Sequence, residues 1–128
     1  MQNPAAAPII LASSSSYRRG LLDRFLNDYE TVTPNVDETD DGTEPPEQFA
    51  ARLAREKAEA VSSAHRDSLI IGADQIAVLD GRVLGKPGDH HKAVEQLLAA
   101  SGKSVQFLTA VCVLDPAGRT RHEHIDRT

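Results

Sequence analysis

Apolar residues along this chain follow two rhythms. Aliphatic and β-branched runs at Pro8–Ala12, Tyr29–Thr33, Leu69–Asp80 and Ser104–Leu114 read as strands. Between them, apolar positions three and four apart read as helices. Tyr17–Phe25 has that spacing at Leu21, Leu22 and Phe25. A longer helix opens at Thr43, with proline in its first turn where a missing N–H does no harm, and runs to about Ser63. Phe49, Leu53, Ala54, Ala58 and Val61 form its inward stripe, and Arg52, Arg55, Glu56 and Glu59 lie off it. Asp89 is placed to cap a third helix reaching about Ala100, with Val94, Leu97 and Leu98 inward and Gly102 as its stop. Asp80-Gly81 predicts a tight hairpin returning through Arg82–Leu84. Asp115–Gly118 is a turn, and Arg119 begins a polar, edge-like strand with His122 and His124 on one face. The order strand, helix, strand, helix, hairpin, helix, hairpin predicts an α/β protein, a mixed β-sheet flanked by helices, with one domain over residues 1–128.

Certain polar residues break these rhythms. The Leu69–Asp80 run is apolar on both faces, as suits a central strand covered on each side, yet Asp74 and Gln75 interrupt it. With a period of two, Asp74 shares a face with Ile70, Gly72, Ile76 and Val78. A carboxylate there is either structural, satisfied by a neighbouring cation or amide, or a catalytic or metal-binding acid at a cleft. Lys57 lies between Leu53 and Val61 on the inward stripe of its helix. It either snorkels to water or meets a ligand or Asp74. Ser13–Ser16 followed by Arg18 and Arg19 is a serine cap with two solvated arginines, or a cradle for phosphate.

Two familiar loops can be tested and rejected. The acidic loop Pro34–Thr43 holds Asp37, Glu38, Asp40 and Asp41, but Thr39 takes the third ligand position of a helix-loop-helix calcium site and Gln48 replaces its terminal Glu. It reads as a solvated loop, or as one lending a carboxylate to a metal. Gly81–Pro87 is one residue short of a P-loop and carries Pro87 where Ser or Thr would bind magnesium. Lys86 is nevertheless held in a restricted turn beside the Asp74 hairpin. No third ligand is spaced to make a metal site with His122 and His124, and His90-His91 suits a helix surface.

Composition narrows the function classes. A net charge of −5 and 4% aromatic residues do not suit a surface for a nucleic-acid polymer. A single cysteine, Cys112, excludes an internal disulfide and reads as a core residue of a protein in a reducing compartment. No apolar run approaches membrane-spanning length, and the first eight residues lack the charged start and apolar run of a signal peptide, so a cytoplasmic location is expected. Local cations for phosphates, with carboxylates for a divalent metal and a base, suit phosphoanhydride hydrolysis.

Five motifs in order sharpen this reading. Leu11-Ala-Ser-Ser-Ser-Ser-Tyr-Arg-Arg19, Val36-Asp-Glu-Thr39, Arg52-Leu-Ala-Arg-Glu-Lys-Ala58, Ile71-Gly-Ala-Asp-Gln75 and Leu84-Gly-Lys-Pro87 resemble the Maf family of nucleotide pyrophosphatases, with its Maf/ITPase-like fold. The resemblance covers nearly the whole chain. Tyr17 and the Asp-Gln pair look like the branch acting on 7-methyl-GTP; the dTTP/UTP branch typically has Arg and Thr at the Tyr17 and Gln75 positions. The resemblance implies Asp74 as proton acceptor, with Ser13, Arg18, Glu38, Lys57 and Lys86 in the catalytic and phosphate-binding set. It also implies a divalent metal, Mg or Mn, on Glu38 and Asp74, and base choice through Tyr17 and Gln75. The partner expected is a small-molecule nucleotide, with a homodimer allowed and neither nucleic acid nor membrane. Ser16 replaces the proline usual before the aromatic. Family members also continue well beyond the Thr128 position, so an incomplete domain with an open sheet edge is expected.

Overall fold

In a computed structural model, described for residues 8–13, 16–26, 28–38, 43–84, 90–116 and 121–128, nine elements alternate along the chain. They are β1 (Ile9–Ala12), α1 (Ser16–Leu22), β2 (Glu30–Val32), α2 (Pro46–Ser62), β3 (Leu69–Leu79), β4 (Arg82–Leu84), α3 (His90–Ala100), β5 (Gln106–Leu114) and β6 (Arg121–Arg127). The six strands form one mixed sheet in the order β2-β1-β3-β5-β6, with β4 added to β3. β2, β1 and β3 run parallel, and the β3–β4, β3–β5 and β5–β6 pairs are antiparallel. The α/β class and the mixed sheet are those the periodicity predicts. Both residues of the Asp80-Gly81 turn have positive φ, 53° and 78°, the backbone a two-residue hairpin requires.

β3 is the spine. β5 accompanies it from Ile70 to Val78 on one side. On the other side β1 pairs with it only as far as Gly72, and β4 joins only at Ala77. Among the described residues, no strand pairs with Ala73–Ile76 on that side. The sheet therefore has a notch, and Asp74 and Gln75 sit in its wall.

α2 lies across one face of the sheet, and Phe49, Leu53, Ala54, Ala58 and Val61 pack against Ile10, Ile70, Ile76, Leu108, Ala110 and Cys112. The fit is closest at Gly72. A Cβ placed there would overlap the Ala54 carbonyl oxygen and lie 2.8 Å from Ala58 Cβ. A glycine inside a strand marks such a close backbone approach. The N-terminal turn of α2 is fixed by Arg52, whose guanidinium bonds Glu44 at 2.8–3.0 Å and Glu56 at 2.9 Å while lying over the Phe49 ring. Cys112 is buried in this core as expected, and burial pushes its thiol up to about 11, which suits packing rather than nucleophilic work.

The other face of the sheet departs from expectation. Ile71, Ala77, Val111 and Val113 are only half-buried there, so β3 is well covered on one face and not on both. α3 does not turn Val94, Leu97 and Leu98 inward; Leu97 and Leu98 are 73% and 71% exposed. The periodicity makes α3 an amphipathic helix, but periodicity cannot supply a surface for its apolar side. Likewise α1 ends at Leu22 and Phe25 follows in a turn, 81% exposed. The Asp89 cap, the serines at 14 and 15 and the turn after Pro116 lie outside the described residues. Among the described residues no helix is long and apolar enough to cross a membrane.

The Gly72 contact yields a direct expectation. Gly72→Ala should lower stability by roughly 1–3 kcal/mol, the range for overpacking a closed site. Urea unfolding followed by circular dichroism measures it; an unchanged midpoint would show that α2 lifts away from β3 freely.

Candidate active site

Asp74 and Lys57 meet because of this packing. Gly72 seats α2 directly on β3, and two residues further along the same strand face comes Asp74. On α2, Lys57 occupies the position between Leu53 and Val61 that faces the sheet. Its Nζ donates to Asp74 Oδ1 at 2.9 Å, both side chains being buried, with residue exposures of 8% and 5%. The same ammonium lies 3.2 Å from Glu38 Oε1, at the end of the segment leaving β2. Lys57 is therefore drawn inward to two carboxylates, and the snorkelling alternative does not apply.

Parallel pairing brings the remaining groups to the same end. β1 stops at Ala12, opposite Gly72, so Ser13 emerges one residue short of the level of Asp74. Ser13 is buried, and its N–H donates to the Val32 carbonyl of β2 at 3.1 Å. Its Oγ accepts from Arg18 Nη1 at 3.3 Å. The carboxyl ends of β1 and β2 thus converge on the notch in β3, where open α/β sheets bind their ligands.

The electrostatics are those of a carboxylate held between opposing influences. Burial pushes the Asp74 carboxyl above the ordinary carboxylate range. The Lys57 hydrogen bond and charge oppose that rise; Glu38 adds to it, and the Arg18 charge works against it. Asp74 Oδ1 is occupied by Lys57, but Oδ2 is buried without a hydrogen-bond partner. A buried carboxylate oxygen with no donor is costly unless a cation or a proton-bearing group completes it. The site can therefore accept a proton at Oδ2, or offer oxygen ligands from Asp74 and Glu38 to a hard cation.

Not every predicted residue joins this cluster. Gln75 points to the opposite face of β3, where its amide donates to Thr109 Oγ1 at 3.2 Å. It shares the notch with Asp74 but not the Lys57 cluster. Lys86 lies outside the described residues, as does the side chain of Tyr17, whose backbone falls in α1. Sequence reasoning missed the role of Gly72 in seating Lys57 over Asp74. The signal was present, since glycine inside an otherwise aliphatic strand already indicates a backbone approaching closely.

Comparison with known proteins agrees with the motifs. A family model described as "Maf-like protein" matches residues 8–128. The chain is 52% identical over 120 residues to a 7-methyl-GTP pyrophosphatase of Ralstonia nicotianae, covering 93% of this chain and 61% of that protein. Those of Alcanivorax borkumensis and Pseudomonas aeruginosa are 50% and 48% identical, over 88% and 87% of this chain and 58% of each relative. The chain thus spans less than two thirds of the length of the curated relatives it matches.

The raised Asp74 value has a signed consequence. A carboxyl that holds its proton more tightly folded than unfolded releases it on unfolding, between the ordinary value of about 3.9 and the folded one. Its contribution to stability is therefore greatest below that window and is lost as pH rises through it. In metal-free buffer, Asp74→Asn should gain stability relative to the parent as pH climbs from about 4 toward 7. Thermal unfolding across pH checks this, and parallel profiles would refute it.

Proposed function

The chain belongs to the Maf family, and on that premise we propose that its site hydrolyses a nucleoside triphosphate, 7-methyl-GTP, to the monophosphate and pyrophosphate. The observation that carries this reading is the Asp74 carboxylate at the notch, with one oxygen fixed by Lys57 and the other buried without a partner. Relatives named 7-methyl-GTP pyrophosphatase support the choice of nucleotide.

The chemistry follows from the residues. Water adds to the α-phosphorus, the bond from that phosphorus to the bridging oxygen breaks, and pyrophosphate departs. Asp74 accepts the water proton, while Lys57 orients the carboxylate through Oδ1 and favours its charged form. Arg18 and Lys86 neutralise charge on the phosphates, and Ser13, already bonded to Arg18, orients an oxygen.

A divalent cation, magnesium or manganese, fits the partnerless Asp74 oxygen with Glu38 as second ligand. Magnesium is commonly held by one or two carboxylates plus phosphates, in keeping with the finding that no cluster of three candidate ligands occurs among the described residues. Bound there, it would supply charge neutralisation across the phosphates. Tyr17 offers an aromatic face to the cationic 7-methylguanine, and Gln75 both donates to and accepts from a base edge.

Incubation with 7-methyl-GTP and either metal should release pyrophosphate; orthophosphate would exclude attack at the α-phosphorus. Asp74→Asn should lower kcat by about 100-fold or more, as loss of a general base does. Nucleotide binding measured by calorimetry with no turnover would instead favour a binding module. In a panel including dTTP and UTP, Gln75→Thr and Tyr17→Arg should shift the preferred base; an unchanged order would remove both from base choice.

A further inference from the structure

On the reading that Gln75 contacts the base, we propose that Thr109 is a positioning residue for base choice. It holds the Gln75 amide with its amino end toward β5 and its carbonyl toward the notch. The site then favours a base with adjacent N–H donors, as guanine has, over uracil or thymine.

A glutamine amide carries an acceptor and a donor on one planar group, and which of them leads depends on what holds the other. Gln75 and Thr109 stand directly opposite in the β3–β5 register, so their side chains share one face of the sheet. Gln75 Nε2 donates to Thr109 Oγ1 at 3.2 Å. A threonine hydroxyl can itself donate or accept, and the next residue in the row sets its direction. Asp126 lies opposite Thr109 in the β5–β6 register. Its carboxylate draws the hydroxyl proton toward β6 and leaves a lone pair facing the Gln75 amino group. Threonine suits this task, because β-branching restricts χ1 and holds the oxygen in place.

The oxygen and nitrogen of an amide lie on different arms of the same plane. With the amino group drawn to β5, the Gln75 carbonyl turns away from that strand. This is the side on which, among the described residues, no strand pairs with Ala73–Ile76. The Gln75 side chain is exposed, so a ligand can reach it. Guanine offers N1–H and its 2-amino group side by side, and methylation at N7 leaves both in place. One carbonyl oxygen, with its two lone pairs, can accept from both. Uracil and thymine set a single N–H between two carbonyls, which a fixed carbonyl repels. A free amide could turn and offer its amino group to one of them. Thr109 therefore acts by rejecting the wrong base more than by holding the right one.

Calorimetric titration of the chain with 7-methyl-GMP and with UMP tests this, since neither has a phosphoanhydride bond to break. The parent should bind 7-methyl-GMP more tightly. Thr109→Val keeps the branched shape but loses the acceptor. It should reduce that preference roughly three- to tenfold, as one hydrogen bond allows, chiefly through tighter UMP binding. Thr109→Ser retains the hydroxyl and should keep the parental ratio. Gln75→Ala should reduce the preference too, and adding Thr109→Val to it should change nothing further. A packing role alone would move the unfolding midpoint of Thr109→Val and leave its ratio intact, which overturns the proposal while the base-contact reading stands. A serine variant that falls with the valine variant overturns it as well. An intact ratio in Gln75→Ala would instead remove the base-contact reading itself, and the proposal with it. So would a folded parent that binds both nucleotides equally or neither.

Discussion

The buried contact between Lys57 Nζ and Asp74 Oδ1 constrains everything around it. Two charges taken out of water there cost several kcal/mol each before their attraction is counted, and removing one partner leaves the other exposed to a penalty of about 3–5 kcal/mol. Hydrophobic residues of similar volume would hold α2 to β3 at least as well. The pair instead opposes the upward push that burial gives the carboxyl, favouring its charged form. Glu38 then gives the ammonium a second anionic neighbour, and Arg18, bonded to Ser13, adds a second cation whose charge reaches Asp74.

The fold supplies the geometry through two local devices. Gly72 puts no side chain against Ala54 and Ala58, which lets the backbone of α2 approach β3 closely near the lysine that bonds Asp74. Among the described residues, the interruption between β1 and β4 leaves one side of β3 without a paired strand at Ala73–Ile76. Without the first device the charges would not meet. Without the second, a ligand could not approach them along the sheet.

Much of this was legible in the sequence, for physical reasons. Asp74 stood out because a strand period of two placed it among aliphatic neighbours, and Lys57 because a helical period placed it between Leu53 and Val61. Each periodicity reports one element's own faces. Neither says which elements face each other, so the inward turn of Val94, Leu97 and Leu98 failed where α3 had no surface to cover it. Gln75 shows the same limit on a smaller scale. Its adjacency to Asp74 in the motif conceals that neighbours in a strand point to opposite faces, and here Gln75 bonds Thr109 away from the lysine. The family resemblance named a set of groups, and packing shows that Asp74, Lys57 and Glu38 among them touch.

The pairing of β1 with β3 joins Ile10 to Ile70, far apart along the chain, whereas the β3–β4 hairpin closes through two residues. Loop-closure entropy makes the hairpin a quick, local event and the parallel pairing a slow one. Ser13 reaches the notch only through that slow pairing. A chain with its hairpins formed and β1 still undocked would retain most of its antiparallel sheet yet lack one wall of the cleft. Completion of the cleft thus waits on a pairing slower than the local hairpin, and the assembled cluster reports that β1 has docked on β3.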